Sequence, residues 1–254
     1  MQLNISYAIC TKNEGPYVVD LLNRLMGFKT RLPDSIYEIV IQDDFSKDPA
    51  TQAVLRQATE KYPFIKVSYR KHEGDFAAHK NALIEKCTGD WVVNLDADEW
   101  MPEELMSLIP LIIESNPEVE AYWLPRVNTV DGLTLSHVQK WGWVLSTLEG
   151  FTKVRDMKSD SEEYRLLKEY GYIINEENGY VTYKEPIVLY PDPQMRVFKN
   201  SPSIRWTGKV HERLVGFKNF THLPMTPEYA IRHYKSIEKQ VSQNNFYTQI
   251  IEGK

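Results

Sequence analysis

Two carboxylates separated by one small residue, Asp96-Ala97-Asp98, follow the apolar run WVVNL. At the carboxyl end of a strand, such a triplet can turn two oxygen-rich groups toward one ligand while Ala97 keeps the backbone close to it. Hard divalent cations such as Mg²⁺ and Mn²⁺ favour this environment and bridge to phosphates, so the implied chemistry is cation-assisted departure of a nucleoside diphosphate. Asp98 is the candidate direct ligand, and Asp96 either shares the cation or holds ribose or an outer-sphere water. An acidic turn is commonly just solvated; its place behind a buried run favours the ligand role here.

Asp43 and Asp44 in DDFSKDP end another apolar run. A carboxylate there can accept a hydrogen bond from a ribose hydroxyl or the imide N–H of uracil, with capping or turn formation as the competing role. Lys80 and Asn81 in AAHKNALIEKC could contact diphosphate, although an isolated lysine is more often solvent-facing. In SIRWTGKVHERL, Glu212 is a carboxylate that could remove the proton of an attacking acceptor hydroxyl. Trp206 could stack on a sugar face, with Gly208 permitting a close turn. An ion-pairing HER turn and a core tryptophan are the structural alternatives. The sequence has no GxGxxG after the first apolar run, no GxxxxGK[ST], no HExxH and no GxSxG, which argues against a dinucleotide fingerprint, a P-loop, a zinc protease and a nucleophile elbow.

These residues need a scaffold that gathers them. Apolar β-rich runs at residues 3–10, 38–42 and 65–69 and in WVVNL alternate with helical patterns starting near Pro16 and spanning 50–61 and about 76–87. The first helix should turn Val18, Val19, Leu22, Leu25 and Met26 inward. Such alternation predicts a mainly parallel sheet covered on both faces. Right-handed crossovers then bring the strand carboxyl ends to one edge, collecting Thr11, Asn13, Glu14, Asp43, Asp44, Asp96 and Asp98. Pro102 should open another helix, with Pro110 bending or ending it. From Val119 the alternation gives way to hairpin-like strands, with Asp131-Gly132 as a turn. The stretch 138–183, with its Trp141-Gly142-Trp143 element, reads either as an acceptor-selecting loop or as a solvated insertion. Ser236 is the candidate N-cap of a terminal helix.

At 254 residues, with 42% hydrophobic and 26% charged side chains, the chain suits one large domain or two closely joined small ones and is not a disordered or collagenous polypeptide. A net charge of -5 argues against a generally basic nucleic-acid surface, though Arg196, Lys199, Arg205, Lys209 and Arg213 could form a local strip. Cys10 and Cys87 lack metal-site spacing and read as buried thiols in a reducing compartment. The amino terminus shows neither signal peptide nor anchor, and the apolar stretch 105–113 is too short to span a bilayer.

The combined segments TKNEG, DDFSKD, HKNALIEKCTGDWVVNLDADE, QMRVFKN, WTGKVHE and IRHY resemble an inverting family 2 glycosyltransferase with the GT-A fold. The resemblance implies an α/β domain with a mixed, mainly parallel central sheet, flanking helices and an acceptor-side strand and loop region. Residues 1–118 would form its nucleotide-sugar-binding half and 119–254 its acceptor-binding and catalytic half. It further implies that Thr11, Asn13 and Glu14 line the donor nucleoside and that Asp43 or Asp44 recognises base or ribose. Lys80 and Asn81 would lie near the diphosphate, while Asp96 with Ala97 would face ribose or cation. Asp98 and His233 would ligate Mn²⁺ or Mg²⁺, His211 would orient Glu212 or a phosphate, and Glu212 would be the acceptor base. The implied donor is a UDP-sugar. The acceptor would be a carbohydrate, glycolipid or other hydroxyl-bearing molecule, with a modified nucleic-acid base less favoured. The site of action would be the cytoplasm or the inner face of a membrane. A catalytically inactive nucleotide- or sugar-binding module and a metal-dependent phosphoester hydrolase are the alternatives, which product analysis separates.

Overall fold

The computed structural model describes residues 3–146, 154–159, 162–169, 172–184 and 187–252. Its first half alternates as the sequence predicts: β1 (Ile5–Thr11), α1 (Gly15–Arg31), β2 (Glu38–Asp43), α2 (Pro49–Lys61), β3 (Ile65–Tyr69), α3 (Phe76–Ile84), β4 (Trp91–Asp96), β5 (Glu99–Trp100) and α4 (Glu103–Ser115). Then follow β6 (Ala121–Leu124), β7 (Arg126–Asp131), α5 (Leu135–Trp141), β8 (Leu145–Ser146), β9 (Val154–Lys158), α6 (Glu162–Glu169), β10 (Ile173–Glu177), β11 (Tyr180–Lys184) and β12 (Ile187–Val188). The chain ends with β13 (Gln194–Lys199), β14 (Arg205–Thr207), β15 (Arg213–Val215), β16 (Phe220–His222), β17 (Ile231–Ser236) and α7 (Ile237–Glu252).

A seven-stranded sheet in the order β16-β6-β13-β4-β1-β2-β3 forms the centre. Its β4, β1, β2 and β3 pair in parallel, whereas β13 runs antiparallel to both β4 and β6. Strands from both sides of residue 118 therefore share one sheet. The β1 and β2 strands are buried almost throughout, because helices cover both faces of a parallel sheet. A second sheet, β5-β17-β7-β12-β8, lies in register so that His233 faces Glu99 on one side and Asn128 on the other.

Helix α1 buries Val18, Leu21, Leu22, Leu25 and Phe28. Val19, expected to face inward, is 38% exposed, and Leu21 and Phe28 extend the buried stripe instead. Pro110 does not end α4: the helix runs on to Ser115, with Leu105, Met106, Ile109 and Ile113 buried on its inner face. Tertiary packing here outweighs the backbone hydrogen bond that proline removes. Asp48 and Asp75 cap α2 and α3 by accepting from Thr51 and Ala78 backbone N–H groups, each at 2.8 Å. Ser236 Oγ accepts from Lys239 N at 3.3 Å, as the sequence predicts for α7. Among the described residues, no helix is long and apolar enough to cross a membrane. The expectation for 138–183 falls partly on residues 147–153, 160–161 and 170–171, which lie outside the described residues.

Candidate functional site

A cleft of about 1000 Å³ opens at the carboxyl ends of β1, β2 and β4 and is walled by β7, β17 and α7. It is lined by Thr11, Glu14, Asp44, Lys80, Asp96, Ala97, Asp98, Glu212 and His233 among the residues expected from sequence. Asn13, Asp43 and Asn81 are not in its wall, and each has structural work nearby. Asn13 Oδ1 accepts from Lys47 N at 2.7 Å and Asp48 N at 3.0 Å, tying the first loop to the second. Asp43 accepts from the backbone N–H and hydroxyl of Ser46, while Asp44 faces the cleft and accepts from His72 N at 3.0 Å. Asn81 pairs its side-chain amide with both backbone groups of Trp206, each at 2.8 Å, and so fixes that residue. Trp206 is buried against Phe198 as well as lining the cleft, and Gly208 beyond it has the positive φ of 94° that its turn requires.

Asp96 and Asp98, two residues apart, belong to different charge networks because the chain turns between β4 and β5. Asp96 accepts from Arg196 at 2.8 Å and lies 3.4 Å from Lys80 Nζ. Lys80 Nζ also pairs with Glu212 at 2.7 Å and sits 4.9 Å over the Trp206 ring. Burial pushes the Glu212 carboxyl up, but Lys80 outweighs it and holds that carboxyl below its ordinary value. Glu99, fully buried, accepts from Arg196 Nε at 2.9 Å and from Arg126 at 2.7 Å, and Arg126 in turn donates to Asp192 at 2.7 Å. The sequence shows the acid of Glu99 but gives no sign of its two arginine partners, which lie 27 and 97 positions away. Arg196 is buried within this network, so the basic strip expected from Arg196 to Arg213 does not form as a continuous surface.

Asp98 faces His233 Nε2 at 3.4 Å, Lys239 Nζ at 2.9 Å and Lys235 Nζ at 3.8 Å. Burial opposes its charge, but His233, Lys235 and Lys239 together hold its carboxyl well below the ordinary range. Asn128 Nδ2 donates to Asp192 Oδ2 at 2.7 Å and to the Val188 carbonyl at 3.3 Å, which leaves Asn128 Oδ1 to accept from His233 Nδ1 at 2.7 Å. Burial favours neutral His233. Donation from Nδ1 to Asn128 leaves Nε2 facing the Asp98 carboxylate. Two such ligands on neighbouring positions of an octahedral ion, each roughly 2.1 Å from it, would lie about 3 Å apart. The pair fits a cation that completes its shell with phosphate oxygens and water. No group of three His, Cys, Asp or Glu side chains is gathered for a metal among the described residues.

Two further groups escape sequence reasoning. His72 and His79 line the cleft beside Asp44, their rings 5.3 Å apart, and His72 Nε2 and His79 Nδ1 are buried without partners. Burial lowers His79 to about 4 and lowers His72 as well, so both rings are neutral near pH 7. The buried Thr11 hydroxyl in the same wall also lacks a partner. Unpaired buried polar atoms are costly, and these three, with Trp206 Nε1, belong to residues that line the cleft. Cys87 is buried as expected, whereas Cys10 is half-buried in the cleft wall, its thiol pushed up to about 12 by burial. His211, expected to orient Glu212 or a phosphate, also lines the cleft, its ring 5.8 Å from Tyr247 of α7.

Comparison with known proteins accords with this architecture. The sequence profile of glycosyl transferase family 2 matches residues 6–169. An undecaprenyl-phosphate 4-deoxy-4-formamido-L-arabinose transferase of Pseudomonas syringae pv. syringae is 37% identical over 110 residues, 42% of this chain and 32% of that protein. The lipopolysaccharide core biosynthesis glycosyltransferase LpsC of Rhizobium meliloti is 30% identical over 89 residues, 35% of this chain and 32% of that protein. The matched part is thus about a third of either relative's length. The structure of S. aureus TarS 1-349 covers 95% of this chain and 63% of its own, with a TM-score of 0.50 at 15% identity. The fold is the expected mixed α/β GT-A architecture, with a mostly parallel central sheet and flanking helices.

Proposed function

The chain belongs to glycosyl transferase family 2, and we propose that it moves a sugar from a uridine diphosphate donor to an acceptor hydroxyl, with Mn²⁺ or Mg²⁺ and with inversion at the anomeric carbon. The observation that carries this reading is the convergence on one cleft of the Asp98–His233 ligand pair, the Lys80 ammonium and the Glu212 carboxylate. A divalent cation held by Asp98 and His233 would offset the charge of the departing diphosphate. Lys80, buried and within reach of the same space, adds a fixed positive charge there.

Glu212 stays ionised, because Lys80 holds its carboxyl low. It accepts the proton of the acceptor hydroxyl as that oxygen attacks the anomeric carbon. The bond from that carbon to the diphosphate oxygen breaks, and the diphosphate leaves with the bonding electrons. Attack opposite the leaving group inverts the centre and needs no covalent sugar intermediate. Asp44, His72, His79 and Thr11 supply polar atoms for the nucleoside. Trp123 and Trp143, farther along the cleft wall, supply flat faces for an acceptor sugar. Residues 1–118 on this reading carry most donor contacts, and 119–254 the acceptor side and the base.

One relative is named for transfer to undecaprenyl phosphate and another for lipopolysaccharide core biosynthesis, which supports including lipid-linked acceptors among the candidates; the proposed site of action is the cytoplasm or the inner face of a membrane. The test is a panel of UDP-, GDP- and dTDP-sugars with Mn²⁺ or Mg²⁺, incubated with carbohydrate, lipid-phosphate and glycolipid acceptors and read by product mass. A glycosylated acceptor with released UDP supports the reading. Inorganic phosphate as product would make the protein a hydrolase, and nucleotide binding without turnover would make it a binding module.

A further inference from the structure

Lys239 occupies the space beside the Asp98 carboxylate that a coordinated cation would take. It lies in the first turn of α7, and its ammonium donates to Asp98 Oδ2 at 2.9 Å and to Glu14 while lying 4.4 Å over the Tyr17 ring. Lys235, buried on β17, adds a second ammonium 3.8 Å from the same carboxylate. Both lysines face Asp98, and Lys239 also holds Glu14, whose carboxyl is pushed up to about 7 by burial and the neighbouring Asp98. A divalent cation entering this set alone would meet two ammonium groups at close range in a poorly solvated site.

A nucleoside diphosphate changes that balance. It brings negative oxygens into the same cleft, and Lys239, 25% exposed and lining the cleft, has a flexible four-carbon stem. The α7 helix presents Gln240, Gln243, Phe246 and Tyr247 to the cleft as well, so the helix that carries Lys239 is already part of the donor wall.

We propose that Lys239 is an internal counter-ion that closes the Asp98 cation site in the free protein and transfers to the donor diphosphate on binding, so that cation and nucleotide enter together. The proposal rests on the donor-site reading above. Its thermodynamic mark is positive coupling: nucleotide tightens cation binding, and cation tightens nucleotide binding by the same factor. One charge-assisted hydrogen bond sets the scale at about 10- to 100-fold.

Calorimetric titrations of the whole chain with Mn²⁺ alone, with UDP, GDP or dTDP alone, and with both together test this in the unaltered protein, Lys239→Met and Lys239→Arg. The unaltered protein should bind Mn²⁺ weakly alone and about 10- to 100-fold more tightly with the nucleotide that binds. Lys239→Met should bind Mn²⁺ more tightly without nucleotide, bind nucleotide alone more weakly, and lose most of the coupling. Lys239→Arg, keeping the charge, should retain weak binding of Mn²⁺ alone. Unchanged Mn²⁺ affinity in a folded Lys239→Met protein overturns the proposal, and so does absence of coupling in the unaltered protein, which needs no variant to fold. Failure of the unaltered protein to bind any nucleoside diphosphate, with or without Mn²⁺, would instead defeat the donor-site reading.

Discussion

Replacing Glu99 by glutamine removes one charge from the centre of the buried network and keeps nearly the same shape. The carboxylate is fully buried and accepts from Arg126 at 2.7 Å and from Arg196 at 2.9 and 2.8 Å. Breaking a buried ion pair from one side costs about 3–5 kcal/mol. Asp192 still holds Arg126 and Asp96 still holds Arg196, so the lower end applies, about 3 kcal/mol. For a chain of this size roughly 2–4 °C accompanies each kcal/mol, which gives a fall in Tm of roughly 6–12 °C at pH 7. Burial raises the Glu99 carboxyl, but Arg196 and Arg126 reverse that and hold it far below its ordinary value. A depressed carboxyl contributes fully above its unfolded value, about 4.3, and loses the contribution as pH falls toward the folded one. The difference between unaltered and Glu99→Gln proteins should therefore stay level from pH 8 to 5 and narrow below about pH 4. Thermal denaturation followed by circular dichroism across that range measures it. A difference under about 2 °C at pH 7, or one that does not narrow in acid while both proteins remain folded, would refute the central role of Glu99.

Three further outcomes follow from the site. Glu212→Gln should leave folding and UDP binding intact and lower the transfer rate on the order of 10²- to 10⁴-fold; near-normal turnover at saturating donor and acceptor would remove Glu212 as the base and direct attention to Asp192 in the same cleft. Asn128→Ala frees His233 Nδ1 from its acceptor, and Mn²⁺ affinity measured with UDP present should fall about 10- to 100-fold, an effect that titration calorimetry would find absent if Asn128 only fills space. His79→Phe removes a buried ring nitrogen beside Asp44 and should weaken nucleotide binding about tenfold, on the scale of one hydrogen bond, without altering acceptor KM; equal losses in both would point to a packing defect.

The alternating half of the fold was legible because its signals are local. The apolar centres of β1 and β2 read as buried parallel strands, and the right-handed crossovers send Thr11, Asp44 and Asp96 to one edge without any long-range information. Val19 was misplaced because it flanks the buried stripe of α1, where one helical step decides exposure. The continuation of α4 past Pro110 was not legible because local backbone preference is weighed there against core contacts that the sequence does not display. The division of labour between Asp96 and Asp98 was illegible for a different reason. Their partners Arg196 and Lys239 lie 100 and 141 positions away, and only the packing of β13 and α7 against the strand end determines which acid meets which cation. Lys235 follows His233 by two residues on one strand and shares its buried face, a period-two signal that was available once β17 was recognised.

The two networks differ in what they leave for a ligand. In the first, Asp192, Glu99, Asp96 and Glu212 outnumber Arg126, Arg196 and Lys80 by one negative charge. In the second, Lys235 and Lys239 face Asp98 and Glu14, the latter pushed up to about 7 by burial and by Asp98. Each of these five cations is thus already within ion-pairing distance of a carboxylate. A polyphosphate settling among these five must either draw one of them away from its carboxylate or arrive with a positive ion of its own, while Lys12 and Arg213 also line the cleft. Arg126 and Arg196 are anchored by fully buried Glu99 and make several hydrogen bonds each, so moving them would expose a buried charge. Lys80 is buried and held by Asp96 and Glu212, whereas Lys239 is a quarter exposed and reaches into the cleft on a single ammonium group that can exchange one anionic partner for another. The guanidinium pair and Lys80 thus fix the frame of the site, while Lys239 is the charge free to follow the ligand.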